Sequence, residues 1–394
     1  MNTDLPLLIR DFTDAEDLYN YSMGYVAQQW PDARVHYRYT NRDAAFRFPP
    51  DFHRRLQNQL EQLSGLRFGD TSIAFFQNVT PWLPLPYLQW LRQYRFDPSL
   101  VDIRQDGGDL HIDIRGRWFE AIYWEVKLLA LISELARIGP DATEAPPLLD
   151  GWQDVIHEKA RRLSEAGVSW ADFGTRRRAS FEVQDAVVSI MKRYDGFRGT
   201  SNAYLAMKHG VLPIGTYAHQ LPMAMQALYG AGSADRMAMQ HWVDAFHGDL
   251  GIALSDTLTT KHFLKSFDSY YANLFKGVRQ DSGDPIAFGE RIIAHYRSLG
   301  IDPATKQIIF SDSLDVDSAI RIHNHFAGRI ITSMGIGTNF TADPAMTGVK
   351  PMNHVIKVVE ADFGHGAVPV VKLSDEAGKH SGDAAVVAAI VSGL

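Results

Sequence analysis

The 394-residue chain is 45% hydrophobic and 22% charged, so it can bury a large core and is too long for one small domain; two domains are expected. A net charge of −7, with no basic tract beyond Arg176-Arg177-Arg178, argues against a general nucleic-acid or membrane-surface binder, though not against small anionic ligands. The lack of cysteine excludes disulfides, thiolate metal sites and cysteine nucleophiles; with no run approaching the ~20 apolar residues that span a bilayer and no signal-like N-terminal segment, a cytoplasmic protein is expected.

In chain order, "AEDLYNYSMGYVAQQW" spaces Leu18, Tyr21, Met23 and Val26 at helical intervals, with Thr13 or Asp14 as the expected cap. "RVHYRYTNRD" alternates like a strand. "VDIRQDGGDLHIDIRG" reads as a hairpin with one solvated face, turning at Asp106-Gly107-Gly108. "WFEAIYWEVKLLALISELARIG" predicts one long buried helix ending at Gly139, and "GPDATEAPPLLDG" predicts a linker. The domain boundary falls there: an N-terminal α/β domain over 1–140, and a second domain over 150–345.

Beyond the linker, "SWADFG", "GFRGTSN", "VLPIGTYA", "GIALSD", "FKGVRQDSGD", "QIIFSDSLD" and "RIITSMGIGTN" are apolar runs ending in Gly, Ser, Asp or Thr and separated by helix-length segments. Such alternation predicts βα units and a parallel sheet covered on both faces, more as a (β/α) barrel than as an open sheet. Barrel chemistry sits at the carboxyl ends of the strands, which is where these polar residues fall. The last stretch, "HVIKVVEADFGHGAVPVVKLSD", reads as two strands returning to the first domain, so that 346–394 joins 1–140.

Taken singly, each polar candidate has an ordinary structural reading. A lone histidine such as His219 is usually structural. Arg176 and Arg178 after Phe173 could lie on a solvated face, while Asp281, Asp284, Asp312 and Asp315 could be helix caps. Gly337 and Thr338 could offer main-chain amides to a phosphate, but a short glycine motif is weak evidence. Taken together, they suit one ligand: a ribose held by carboxylates, a phosphate in the glycine turn and a flat aromatic acid against arginine and phenylalanine.

The series "DFGTRR", "GTSN", "GTYAH", "LSDT", "VRQDSGD", "FSDSLD" and "GIGTN", with "EDLYNYSMG" before it and "KLSD" after it, resembles the nicotinate phosphoribosyltransferase family from about residue 10 to about residue 375. The resemblance implies an α/β fold: an N-terminal α/β domain with an antiparallel sheet, and an irregular, incomplete (β/α) barrel. It implies the joining of nicotinate to phosphoribosyl pyrophosphate, giving nicotinate mononucleotide and pyrophosphate in NAD salvage, coupled to ATP hydrolysis. By resemblance, His219 accepts phosphate from ATP, Asp281 and Asp312 hold the ribose, and Gly337 and Thr338 hold the 5′-phosphate. Arg176 and Arg279 flank the base and pyrophosphate, and Phe173 and Tyr19 sandwich the pyridine, Tyr19 being supplied across the interface of a homodimer with shared active sites. Mg²⁺ would arrive on the polyphosphates, with no protein metal site.

Four positions depart from the family pattern: Asn20 replaces a lysine, Gln220 follows His219 in place of a glutamate, and Ser311 and Ser313 stand in place of glycines. A nicotinamide-specific transferase of the same fold carries an aspartate at the position of Ser201, and a carboxylate there would repel an acid substrate, so Ser201 favours nicotinate. A quinolinate-decarboxylating transferase lacks the "AH" element, and a non-catalytic metabolite-binding homologue would not need His219, Asp281 and Asp312 intact.

Overall fold

The computed structural model describes residues 5–139, 142, 144–376 and 379–393. Among the described residues, twelve strands form two sheets. In chain order they are β1 (Arg34–Asn41), β2 (Val101–Asp106), β3 (Asp109–Arg117), β4 (Trp170–Asp172), β5 (Phe197–Thr200), β6 (Leu212–Pro213), β7 (Ile252–Leu254), β8 (Gly277–Gln280), β9 (Gln307–Phe310), β10 (Ile331–Ile336), β11 (His354–Asp362) and β12 (Val368–Pro369).

The first sheet is antiparallel, in the order β12-β11-β1-β3-β2. Its hairpin β2–β3 turns at the Gly107-Gly108 pair, where Gly107 takes φ 54°, a left-handed angle that costs glycine nothing. The late strand β11 lies beside β1 along its whole length, from Arg34↔Asp362 to Asn41↔His354, so distant parts of the chain share this sheet.

The second sheet holds all seven of the apolar runs that end in small polar residues, in the order β6-β5-β4-β10-β9-β8-β7, every pair parallel. Because β10 pairs with β4, the sheet curls round on itself, and β6 and β7 are left as its two edges. This is the incomplete barrel. Its strands are short, and every residue of β4 and β7 is buried.

Three local expectations differ. The first helix runs Leu18–Ala27 with Asp17 at its N-cap, making no side-chain cap bond, while Asp14 accepts hydrogen bonds from Arg178 instead. The long helix after the hairpin is two, Trp118–Ala121 and Trp124–Arg137, with a turn at Ile122 and Tyr123 that lets both halves bury a tryptophan completely. Leu212 of β6 is 59% exposed, since β6 is an edge strand rather than a buried one. Of the expected linker, Pro140, Asp141 and Thr143 lie outside the described residues; Leu149 N, farther along it, donates to Met346 O at 2.9 Å.

Candidate active site

A cavity of about 960 Å³ opens at the carboxyl edge of the curled sheet and is closed on its far side by β11 and the segment after it. From the barrel it is lined by Phe173 and Arg176 after β4, Arg279 in β8, Asp281 after it, Asp312 after β9, and Gly337 and Thr338 after β10. From the other side come Arg42, just after β1, Lys357 in β11 and Lys372, three residues beyond β12.

Asp281 and Asp312 are not caps. Arg279 donates to Asp281 (Nη2 to Oδ1, 2.8 Å), Ser311 Oγ also donates to it at 3.0 Å, and Lys379 Nζ stands 2.6 Å from Asp312 Oδ2. Burial alone would raise the Asp281 carboxyl, but Arg279 and Lys372 outweigh it and hold the group ionised far below the usual range. Asp284 and Asp315, by contrast, cap helices by accepting from Ala287 N and Ser318 N. Ser311 bonds both Asp281 and Arg279 (Nε to Oγ, 2.8 Å) and so ties this corner together.

Phe173 lies flat on the glycine strand. A Cβ built at Gly335 would overlap its ring, so only glycine lets the ring sit there, and Arg279 covers that ring with its guanidinium carbon 5.9 Å from the centroid. At Gly337 a Cβ would fall 2.9 Å from the Phe173 carbonyl oxygen, which fixes the close approach of the β4 and β10 ends. Lys159 pins the phosphate-like turn from behind, donating to Asn339 O and to Asp343.

His219 is buried beneath the cavity wall, immediately before the helix Gln220–Tyr229. Its Nε2 lies 2.9 Å from Asp256 Oδ1 and 3.7 Å from Asp281 Oδ2. The other Asp256 oxygen accepts from Ser282 Oγ at 2.6 Å and from Lys372 Nζ at 3.2 Å. Burial, followed by the Lys372 charge, outweighs the two acids and pushes the imidazole down to about 4, so it is neutral at pH 7. With Nε2–H donated to Asp256, the lone pair falls on Nδ1, which has no protein partner among the described residues. Gln220 accepts from Tyr37 OH at 2.5 Å; the carboxylate partner of the imidazole is Asp256.

His219, Asp256 and Asp281 bring one ligand atom each within 4.8 Å of one another, as a metal site would. The Lys372 ammonium, 3.2 Å from Asp256 and 3.9 Å from Asp281, already supplies a cation to the same carboxylates. The donor set therefore already pairs with an ammonium.

Tyr19, Arg176 and Ser201 form the other end. Asp17 is bridged to Asn202, Leu18 N donates to Ser201 O at 2.9 Å, and Ser201 Oγ donates to Asp17 Oδ1 at 2.6 Å. These bonds set Tyr19 beside Arg176 of the same chain, where the two interact electrostatically. Tyr19 is 6% exposed with its hydroxyl unpartnered, and neither it nor Ser201 lines the cavity. Arg176 does, held 3.7 Å from Glu125 and 4.0 Å from Asp17. Asn20 is buried and donates to Glu16, which itself pairs with Lys127; it faces the interior. Arg178, in the same basic run as Arg176, is wholly buried between Asp14 and Glu134 and is structural.

Sequence reasoning missed Asp256, Lys372, Lys357, Arg42 and Lys379. The first two lie inside "LSDT" and "KLSD", runs visible in the sequence but without a partner until the fold brings them together. Lys357 alternates inward on β11, where burial and the Lys372 and Arg176 charges, against Glu125, push its ammonium down to about 8. Arg177 is likewise pushed down to about 10 by burial and by Arg176 and Arg42 beside it. Cations crowded closely enough to depress one another make a ready anion site.

Residues 168–392 match the nicotinate phosphoribosyltransferase (NAPRTase) family, and residues 15–133 match that family's N-terminal domain. The chain is 44% identical over 372 residues to a nicotinate phosphoribosyltransferase of Chromohalobacter salexigens, covering 93% of this chain and 94% of that one. It is 40% identical over 383 residues to nicotinate phosphoribosyltransferase 2 of Pseudomonas aeruginosa, covering 94% and 93%. The crystal structure of a nicotinate phosphoribosyltransferase from Porphyromonas gingivalis superposes with a TM-score of 0.93 at 37% identity, covering 98% of this chain and 99% of that one. One from Vibrio cholerae superposes at 0.86 and 33% identity, covering 98% and 94%. The chain belongs to the nicotinate phosphoribosyltransferase family.

Proposed function

We propose that this member of the family joins nicotinate to phosphoribosyl pyrophosphate, and that it couples the reaction to ATP through a phosphate on His219. The observation that carries the first part is the cavity itself: two carboxyl groups, Asp281 and Asp312, share it with a glycine turn for phosphate and with Phe173 and Arg176 for a flat acid. The pyridine nitrogen attacks the anomeric carbon, the bond from that carbon to pyrophosphate breaks, and pyrophosphate leaves with the electron pair. Positive charge develops on the ribose as this happens, and fixed carboxylates beside it lower the barrier. Arg279, Lys372 and Lys379 face those carboxylates and are placed to receive the departing oxygens.

The neutral imidazole supports the second part. A lone pair on Nδ1 can accept the γ-phosphoryl group of ATP, releasing ADP, and hydrolysis of the phosphohistidine returns the free ring and phosphate. Asp256 would hold the tautomer throughout. Mg²⁺ would come with ATP and phosphoribosyl pyrophosphate and shield their charge.

Acid over amide rests on the cations rather than on Ser201, because Asp17 already places a carboxylate 2.6 Å from that hydroxyl. Arg176, Arg177, Arg42 and Lys357 make the cavity wall positive. Family membership supports a place in salvage of nicotinate into NAD and a homodimer; no described helix is long and apolar enough to cross a membrane. The decisive experiment gives purified protein phosphoribosyl pyrophosphate and Mg²⁺ with nicotinate, nicotinamide or quinolinate, with and without ATP. Nicotinate mononucleotide formed faster with ATP, and an acid-labile label from γ-labelled ATP that His219→Asn abolishes, are the expected results. Binding without product would make the chain a metabolite-binding homologue, and product only from nicotinamide would reverse the substrate.

A further inference from the structure

Gln226 lies in the helix Gln220–Tyr229 that begins directly after His219, is 6% exposed, and spends both ends of its amide on one residue of a remote segment. Its Nε2 donates to Val371 O at 2.8 Å, and Val371 N donates back to its Oε1 at 3.0 Å. Two residues on, Leu373 N donates to Thr257 O at 2.8 Å, next to Asp256. Between these anchors the side chains alternate. Val371 and Leu373 turn outward onto Leu258 and onto Val386, Val387 and Ile390 of the C-terminal helix Ala384–Gly393. Lys372 turns inward, to 3.2 Å from Asp256, and Ser374, held at the left-handed φ of 67°, brings its Oγ to 3.4 Å from the same carboxylate.

We propose that Gln226 is a positioning residue: by locking Val371 to the His219 helix it sets the Lys372 ammonium against Asp256, the carboxylate that pairs with the His219 imidazole. Its catalytic meaning rests on the phosphohistidine reading above; the placement does not. The groups facing His219 are Asp256 at 2.9 Å, Asp281 at 3.7 Å and Lys372, and Lys372 in turn faces both acids and Lys357. The two acids favour the imidazolium, while burial and the ammonium oppose it. A strand freed to slip carries the ammonium away, and the acids then raise the imidazole.

The test is the titration of His219, followed by NMR in histidine-labelled full-length protein and assigned by its loss in His219→Asn. In Gln226→Leu, which keeps the bulk and removes both bonds, the midpoint should rise by about one unit. Lys372→Met should move it the same way, and the double variant no further than Lys372→Met alone. With nicotinate and ATP, the acid limb of the kcat/KM profile should move up by the same amount, a change that loss of stability alone would not produce. Gln226→Glu keeps the acceptor for Val371 N and serves if the leucine variant does not fold; a smaller rise is expected. An unchanged His219 midpoint in a folded Gln226 variant overturns the proposal, as does an unchanged midpoint in Lys372→Met. A midpoint that moves as stated, in a protein that ATP never labels, upholds the positioning and removes the phosphohistidine reading.

Discussion

Asp256 Oδ1 stands 2.9 Å from His219 Nε2, although the two residues come from opposite edges of the curled sheet. His219 follows the edge strand β6 and Asp256 follows the edge strand β7, so the pair spans the seam where the barrel stays open. The seam brings together a buried imidazole and the carboxylate that bonds its Nε2.

Replacing Asp256 with asparagine leaves the shape and removes the charge. An amide can present its NH₂ to Nε2, drawing the proton to Nδ1 and the lone pair away from it. The expected result is loss of ATP-dependent turnover and of labelling by about the 10⁴-fold seen when a catalytic histidine is given the wrong tautomer, with ATP-independent transfer reduced far less. Single-turnover labelling with γ-labelled ATP measures it; equal labelling would show that Asp256 only packs against the ring.

Asp281→Asn and Asp312→Asn test the proposed ribose contacts. In the proposed reaction each removes a carboxylate from beside the developing positive charge, and loss of such a transition-state contact costs about 2.7–4 kcal/mol. kcat should fall with little change in melting temperature. Asp281→Asn should show the larger stability effect of the two, because it leaves Arg279, 14% exposed, without its carboxylate.

Gly335→Ala addresses the aromatic wall. The new methyl would overlap the Phe173 ring, so the ring must swing into the cavity. KM for nicotinate should rise at least tenfold, about 1.4 kcal/mol of binding, while ATP labelling of His219 stays normal because that group lies elsewhere. Steady-state kinetics with nicotinate as the varied substrate decide it.

Stability should depend on pH in a stated direction. The folded-state values of His219 and His354, about 4 and about 3, lie below the ordinary 6.5, in both cases through burial first. The unfolded chain therefore binds more protons between these limits, so stability is complete above about pH 6.5 and falls as pH drops toward 4 and then 3. Thermal melts from pH 7 to pH 4 should show a falling midpoint, and His354→Asn should flatten part of the slope if it folds. A midpoint that rises on acidification would contradict both burials.

Ser201→Asp sets a carboxylate against Asp17, whose oxygen now accepts from the serine hydroxyl at 2.6 Å. Both positions are buried, so the repulsion is worth on the order of a few kcal/mol and should appear first as lost stability. Any change in the nicotinate to nicotinamide ratio of kcat/KM should follow from displacement of Tyr19 and Arg176. Ser201→Ala separates the two, since it removes the bond without adding charge.

By itself the sequence determined the units. Each barrel strand is a short apolar run closed by a polar residue, a local pattern that burial on both faces demands, and so all seven strands and the edge on which chemistry collects were legible before any coordinates. Asp281, Asp312, Gly337 and Phe173 were legible for the same reason: they sit at strand ends. The tertiary structure alone decided which distant charges meet. Asp256 and Lys372 are 116 residues apart, and nothing in either neighbourhood says that one will neutralise the other; that follows from β11 docking on β1 and from the amide of Gln226 clasping Val371. It also decided that Arg178 is a buried structural cation while Arg176, two positions earlier in the same run, faces the cavity. Local pattern records which side chains must leave water, but electrostatic partnership depends on distances of a few ångströms between segments far apart in the chain, which are set only when the two sheets pack.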